Sequence, residues 1–264
     1  MHLVTTMNFK VHDAFGHRLL DSIQTYSSNI PLIVYTEDKD FASFLSSKYK
    51  NVTPKLFSKK LFEFIAKIDS PRQLGFKTIG IKKIERFLKI LFKKGRLNYQ
   101  DYFYDFLFDS KRFSLKSFAF ADALKTISDN FFYLDADCHI EDVIPAEIND
   151  GSYFDGFDYG YFGRDTYTET GIIFFSNGNL RMKVFGQAIE DYYLSGKIYS
   201  LKFWTDCHVF DQVRIDLMNS FNGKNLSPDT SFSHPIAISD FSCWIDHRKG
   251  PRKKEQRSPE RNAI

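Results

Sequence analysis

Cysteine is scarce: Cys138, Cys207 and Cys243 are the only three, widely spaced and odd in number. That excludes a disulfide framework, offers no zinc-ligand spacing, and fits a reducing compartment. Long apolar runs are also missing; no stretch approaches the roughly 18 uninterrupted apolar residues of a membrane span. The opening MHLVTTMNFK lacks the charged-then-apolar build of a signal peptide. The expectation is a soluble, cytoplasmic protein. Internal repeats and low-complexity linkers are absent. Net charge is small, +3, and unevenly spread: Asp246 to Ile264 carries seven Lys/Arg and three Asp/Glu, leaving the rest of the chain at −1. A locally basic end points to a local anionic partner rather than a globally basic coat.

What is abundant is aromatic. Phe numbers 29 and Tyr 14 among 264 residues, enough for a ring-rich core and for flat surfaces on which ligand rings stack. Apolar content of 43% and charged content of 26% are ordinary for a globular chain. The informative stretch is NFFYLDADCHI, residues 130 to 140. Phe131 to Leu134 form a continuous apolar run, the signature of a strand buried on both faces, and Asp135-Ala136-Asp137 follows at once. If the chain stays extended, Asp135 and Asp137 point to one side. They then present two carboxylates outside the carboxyl end of a central strand, where open α/β sheets bind ligands. The alternative is a solvated turn, but two adjacent carboxylates repel unless a cation or solvent relieves them.

The rest of the chain alternates. HLVTTM (2–7) suits a first strand, a helix is expected from about Gly16 to Tyr26, and IPLIVYTED (30–38) reads as a second strand ending in acid. That is a βαβ unit. Residues 81–95 have the spacing of an amphipathic helix with a lysine-rich outer face. Residues 114–127 read as the helix feeding the Asp-x-Asp strand, 153–169 as loops and short strands, and 170–177 as another buried strand. Helices are expected over 181–196 and 205–220. Beyond about Gly250 the chain is charged and Pro-containing, so a mobile tail over 251–264 is expected after a main unit of residues 1–250. The fold class is α/β, with a mostly parallel sheet flanked by helices. Hard carboxylate oxygens beside phosphates suit Mg²⁺ or Mn²⁺.

Four segments in order, FFYLDADCHI, ETGIIFFSN, FWTDCHVFD and WIDHRKGPRKK, resemble the landmarks of the GT-A (Rossmann-like) glycosyltransferases. The likeness is nearest to the retaining glycogenin-like and galactosyltransferase-like group, glycosyltransferase family 8, spans most of the chain, and implies a single domain with a mixed, mostly parallel sheet. The resemblance implies transfer of a sugar from a nucleoside-diphosphate sugar, a UDP-sugar in the first instance, to a glycan or other hydroxyl acceptor, with Mn²⁺ (or Mg²⁺) as cofactor. It implies Asp135, Asp137 and His247 as metal ligands, with Asp135 also near the donor ribose. His247, Gly250 and Lys253 match the family's late His-x-x-Gly-x-x-Lys, though Lys254-Glu255 replaces the Pro-Trp that often follows. Lys249, Arg252 and Lys253 offer charge to a diphosphate. Thr5 and Thr6 fall where the nucleoside binds, Asp38 is a candidate for the base or ribose, and Lys116 stands near the family's basic donor contact. Asp206 matches the carboxylate close to the transferred sugar. Glu169 stands where relatives commonly have an amide or small residue, and is a candidate to bind acceptor hydroxyls.

The mechanism this implies is metal-assisted departure of a nucleoside diphosphate, with a carboxylate stabilising the oxocarbenium character of the sugar. Retention is what the resemblance implies; in an inverting enzyme Asp206 or Glu169 would deprotonate the acceptor. A nucleotidyltransferase would carry a Gly-rich phosphate loop after the first strand, and TTMNFKVHDAFG is a poor one. Two further alternatives use the basic end: a transferase whose acceptor is a modified base in nucleic acid, and a non-catalytic nucleic-acid-binding module.

Overall fold

A computed structural model of the protein describes residues 1–76, 104–177, 181–250 and Ser258. The helix expected over 81–95 lies outside them, as do Arg252, Lys253 and the rest of 251–264 apart from Ser258.

In chain order the first strands are β1 (His2–Thr6), β2 (Leu32–Thr36), β3 (Val52–Leu56), β4 (Leu74–Phe76) and β5 (Tyr104–Asp109). There follow β6 (Phe131–Leu134), β7 (Cys138–Ile140), β8 (Tyr159–Phe162), β9 (Glu169–Phe175), β10 (Gly223–Asn225) and β11 (Ile245–His247). Seven of these make the central sheet, in the order β10-β8-β9-β6-β1-β2-β3. Strand β9 pairs antiparallel with both β6 and β8, and every other pairing in this sheet is parallel. Two small antiparallel ribbons, β4 with β5 and β7 with β11, take up the rest.

Helices cover both faces because each central strand is apolar on both. Leu3, Phe132, Leu134 and Phe174 pack on one face against Leu19, Leu20 and Ile23, and against Phe41 and Leu45. Those residues belong to α1 (His17–Tyr26) and α2 (Lys39–Lys48). Val4, Phe131, Tyr133 and Phe175 face the other way, onto Phe118, Phe120, Phe185 and Phe210. These come from α3 (Ser110–Thr126), α4 (Met182–Leu194) and α5 (Asp206–Asp216). The phenylalanine surplus therefore serves the core on both sides of the sheet. Side-chain caps fix where helices begin: Asp38 accepts from the Asp40 and Phe41 N–H groups, Asp109 from Arg112, and Thr205 from His208. The mixed, mostly parallel sheet expected from the sequence is the sheet observed.

Candidate metal and donor site

Strand β6 ends at Leu134, and the chain turns at once. The Cys138 N–H donates to the Asp135 carbonyl at 2.9 Å, so Asp135 and Asp137 lie in a tight turn. This corrects the expectation of an extended segment with both side chains on one side. The two carboxylates nevertheless meet, because the turn leads straight into β7 and β11 pairs with it. In that pairing His247 lies opposite Cys138. A residue 110 positions beyond Asp137 thereby puts its imidazole Nε2 3.1 Å from Asp137 Oδ1 and 3.6 Å from Asp135 Oδ2. The ligand atoms of Asp135, Asp137 and His247 all lie within 4.8 Å of one another. His247 is 1% exposed.

Gly171, in the interior of β9, makes room for that ring. A Cβ there would overlap Cε1 and Nδ1 of His247 and stand 2.9 Å from Nε2. Glycine inside a strand commonly marks such a close approach. His234 donates from Nε2 to the His247 carbonyl at 2.7 Å and fixes the strand from behind. His247 Nδ1 is buried without a hydrogen-bond partner, 3.7 Å from Glu169 Oε1.

Lys116 is the hub of the neighbouring charges. Its Nζ lies 2.7 Å from Asp135 Oδ1, 3.0 Å from Asp206 Oδ2 and 3.1 Å from Thr170 Oγ1. Burial works against its charge, but Asp135 and Asp206 outweigh it and hold the ammonium pKa well above the usual lysine range. Asp206, 3% exposed in the first turn of α5, also accepts from Thr170 Oγ1 at 2.5 Å. Glu169 opens β9 and is buried between Lys249, in direct contact, and Arg164 at 3.3 Å. Burial pushes the Lys249 pKa down to about 7, with the Arg164 cation adding to the effect and Asp135 opposing it. Its contact with the Glu169 carboxylate favours the charged form.

Asp135, Asp137, Lys116 and Asp206 line a cavity of ≈ 240 Å³ together with Thr6 and Glu37. Thr6, at the end of β1, shares a hydrogen bond with Tyr133. Thr5 is fully buried with its hydroxyl unpartnered and does not line the cavity. Asp38 serves the α2 cap, while its neighbour Glu37 faces the cavity and accepts from Asn8 at 2.8 Å. Gly250 has a left-handed backbone, φ 57. The structure thus brings Asp135, Asp137, His247, Lys116, Asp206, Glu169 and Lys249 together and leaves Thr5 and Asp38 outside the cavity wall. Arg164, Thr170, Glu37 and Gly171 are neighbours that sequence reasoning missed. Only Gly171 carried a signal, a lone glycine in a buried strand.

The donor set fits a divalent ion. Two hard carboxylates and one imidazole converge, the combination is charged, and the imidazole's Nε2 already faces the acids. Carboxylate oxygens suit Mg²⁺ and Mn²⁺, and imidazole nitrogen favours the transition metal of the two.

No protein-family model matches this chain, and no curated protein matches it. Solved glycosyltransferases superpose over most of it. Mouse xyloside xylosyltransferase 1 aligns over 86% of this chain and 84% of its own, at 10% identity and TM-score 0.47. Core-mannan synthase A from Aspergillus fumigatus, solved in a Mn/GDP form, aligns over 81% and 68%, at 10% identity and TM-score 0.48. GlyE of Streptococcus pneumoniae aligns over 84% of this chain and 44% of its own, at 10% identity and TM-score 0.44. Likenesses this distant describe what the chain resembles and add no weight to the roles of its side chains. Among the described residues, no helix is long and apolar enough to cross a membrane.

Proposed function

We propose that the protein is a divalent-metal-dependent glycosyltransferase of the GT-A type, moving a sugar from a nucleoside-diphosphate sugar to a hydroxyl acceptor. UDP-sugars are the first candidate donors and Mn²⁺ the first candidate ion. The observation that carries this reading is the meeting of Asp135, Asp137 and His247 beside the cavity at the carboxyl end of the central strands. The main unit in this reading is residues 1–250.

Asp135, Asp137 and His247 would hold the ion, which when bound neutralises charge on the departing diphosphate. The protein's own groups do the rest. Lys116 ties Asp135 to Asp206, so the metal-side carboxylate and the sugar-side carboxylate are set in one frame. Asp206, paired with that cation, is suited to stabilise positive character developing on the sugar. Lys116 and Thr170 both bind its Oδ2, while Oδ1 has the Cys207 thiol at 4.0 Å and so retains capacity for a ligand. Lys249, held on Glu169 within reach of the same centre, is suited to exchange that carboxylate for a phosphate oxygen. The pairing of Glu169 with two cations leaves it poorly suited to be a base.

A thermal-shift panel of nucleoside-diphosphate sugars, each with and without Mn²⁺, tests the reading. A ligand that binds only the folded protein raises its apparent stability, by about 2.7 kcal/mol at a hundredfold excess over Kd. At least one donor is expected to raise the melting temperature only when Mn²⁺ is present. A panel in which no donor does so overturns the proposal.

A further inference from the structure

A histidine that binds an ion through one ring nitrogen carries a proton on the other, and a buried N–H needs an acceptor. In His247 the nitrogen facing the aspartates is Nε2, so the proton belongs on Nδ1 when an ion is held. Nδ1 is buried and hydrogen-bonded to nothing. The carboxylate beside it is Glu169, with Oε1 3.7 Å away. That is an ion-pair distance, longer than a hydrogen bond, and contacts of this kind commonly tighten when the ligand arrives.

Glu169 is held for such a role. It is 2% exposed, which leaves little of it for an acceptor hydroxyl. Its Oε1 accepts from the Gly171 N–H at 3.0 Å, and its Oε2 is taken by Arg164 at 3.3 Å and by Lys249. The two cations offset the cost of burying the carboxylate. Successive residues of a strand face opposite ways. Thr170 turns to Lys116 and Asp206, while Glu169 and Gly171 turn to His247. The Gly171 carbonyl in turn accepts from the Asp135 N–H at 2.8 Å. The start of β9 therefore leaves room for the ring, sets a charged acceptor at its far nitrogen, and is bonded to the turn that carries the acids. A charged acceptor makes the stronger hydrogen bond, fixes the ring and raises the basicity of the nitrogen that meets the ion.

We propose that Glu169 is a positioning residue of the metal site: its Oε1 accepts the Nδ1 proton of His247 and so holds the imidazole with Nε2 toward the ion. This rests on the reading of Asp135, Asp137 and His247 as metal ligands.

Mn²⁺ titrations of the full chain, followed by the electron paramagnetic resonance of the free ion, test it with Glu169→Gln, which keeps the shape and removes the charge. Mn²⁺ affinity is expected to fall about tenfold. In a His247→Ala background the same substitution should change the remaining affinity by less than about twofold, because the residue it acts through is gone. A mere change in local charge would weaken binding in both backgrounds. Nitrogen-15 NMR of the histidine side chains, with Zn²⁺ as a diamagnetic probe that imidazole suits, reads the proton itself. In the wild-type protein it should sit on Nδ1 of His247, and its resonance should move upfield in Glu169→Gln as the acceptor becomes neutral. Unchanged His2 and His12 resonances report that the fold is kept. If the wild-type protein binds Mn²⁺ and Glu169→Gln binds it within about twofold as well, this proposal is overturned and the metal site stands. Equal losses in both backgrounds overturn it too, as does a His247 proton on Nε2 with Zn²⁺ bound. A wild-type protein that binds no Mn²⁺ removes the metal reading, and the role of Glu169 with it.

Discussion

His247 reaches the two aspartates only because residue 171 has no side chain. Any Cβ at Gly171 would occupy the space of the imidazole, so Gly171→Ala should turn the ring away from Asp135 and Asp137. We expect Mn²⁺ affinity to fall about 10- to 100-fold, comparable with the loss in His247→Ala, because both remove the same ligand. The double variant should lose little more than either single one, which a calorimetric double-mutant cycle reads directly. Additive losses would mean that Gly171 acts on something besides His247. The same scale shows what sequence reasoning reaches and where it stops. An apolar run ending in Asp-x-Asp is enough to find Asp135 and Asp137, since two acids at the mouth of a buried strand repel until a cation relieves them. It does not reveal Lys116 as the group that relieves Asp135, because that contact joins a helix to a strand end through three-dimensional packing. Asp38 and Glu37 differ by one position, and the α2 cap takes Asp38 while Glu37 faces the cavity. A carboxylate beside a helix start has two uses, and spacing alone does not separate them.

The β7–β11 ribbon is the element that makes the site, and its ion pairs are what anchor it. Arg248 Nη2 lies 2.7 Å from Glu141 Oε1, His139 Nδ1 lies 3.1 Å from the same oxygen, and the Ser258 N–H returns to Asp246 at 2.9 Å. Burial alone would raise the Glu141 pKa, but hydrogen bonds from His139 and Arg248 overcome it and bring it down to about 2. A depressed carboxylate stabilises the fold above its unfolded pKa and loses that contribution as pH falls through the folded value. For Glu141, 22% exposed at its side chain, the window runs from about 4.5 down to about 2. Solvent screening of this partly exposed pair reduces what the shift contributes. The advantage of the wild-type chain over Glu141→Gln should therefore shrink by about 1–2 kcal/mol between about pH 6 and about pH 3. Urea unfolding of both proteins at the two pH values measures it; an advantage that is constant or grows on acidification contradicts the pairing. Strands β1, β2, β6 and β9 and helices α1, α3, α4 and α5 were legible, because their apolar runs and periods are clear, while β3, β5 and α2 drew no expectation. The ribbon was not legible either. Three-residue strands such as Cys138–Ile140 and Ile245–His247 carry no period to read, and only the family resemblance pointed to His247.

At the scale of the whole molecule, a sheet of parallel strands with one antiparallel member gathers groups from opposite ends of the chain onto a single rim. Thr6 comes from the first strand, Asp135 follows β6 and Glu169 comes from the reversed strand, while the separate β7–β11 ribbon brings His247 to the same rim. The α/β class was foreseeable from alternating strand and helix patterns, and the mixed sheet from the family resemblance alone. The reversal of β9 was not, because a run buried on both faces reads the same in either direction. That reversal places the start of β9, with Glu169, Thr170 and Gly171, beside the end of β6, and so completes the cluster. The central claim is that Asp135, Asp137 and His247 form one divalent-metal site. Electron paramagnetic resonance of Mn²⁺ titrated into the protein tests it most directly, because free Mn²⁺ gives a six-line signal that protein binding suppresses. The account predicts one bound Mn²⁺ per chain in the wild-type protein, and binding weakened at least about tenfold in Asp137→Asn and in His247→Ala with the fold retained. A wild-type protein that leaves the free-ion signal unchanged, or variants that bind Mn²⁺ as the wild type does, would contradict it.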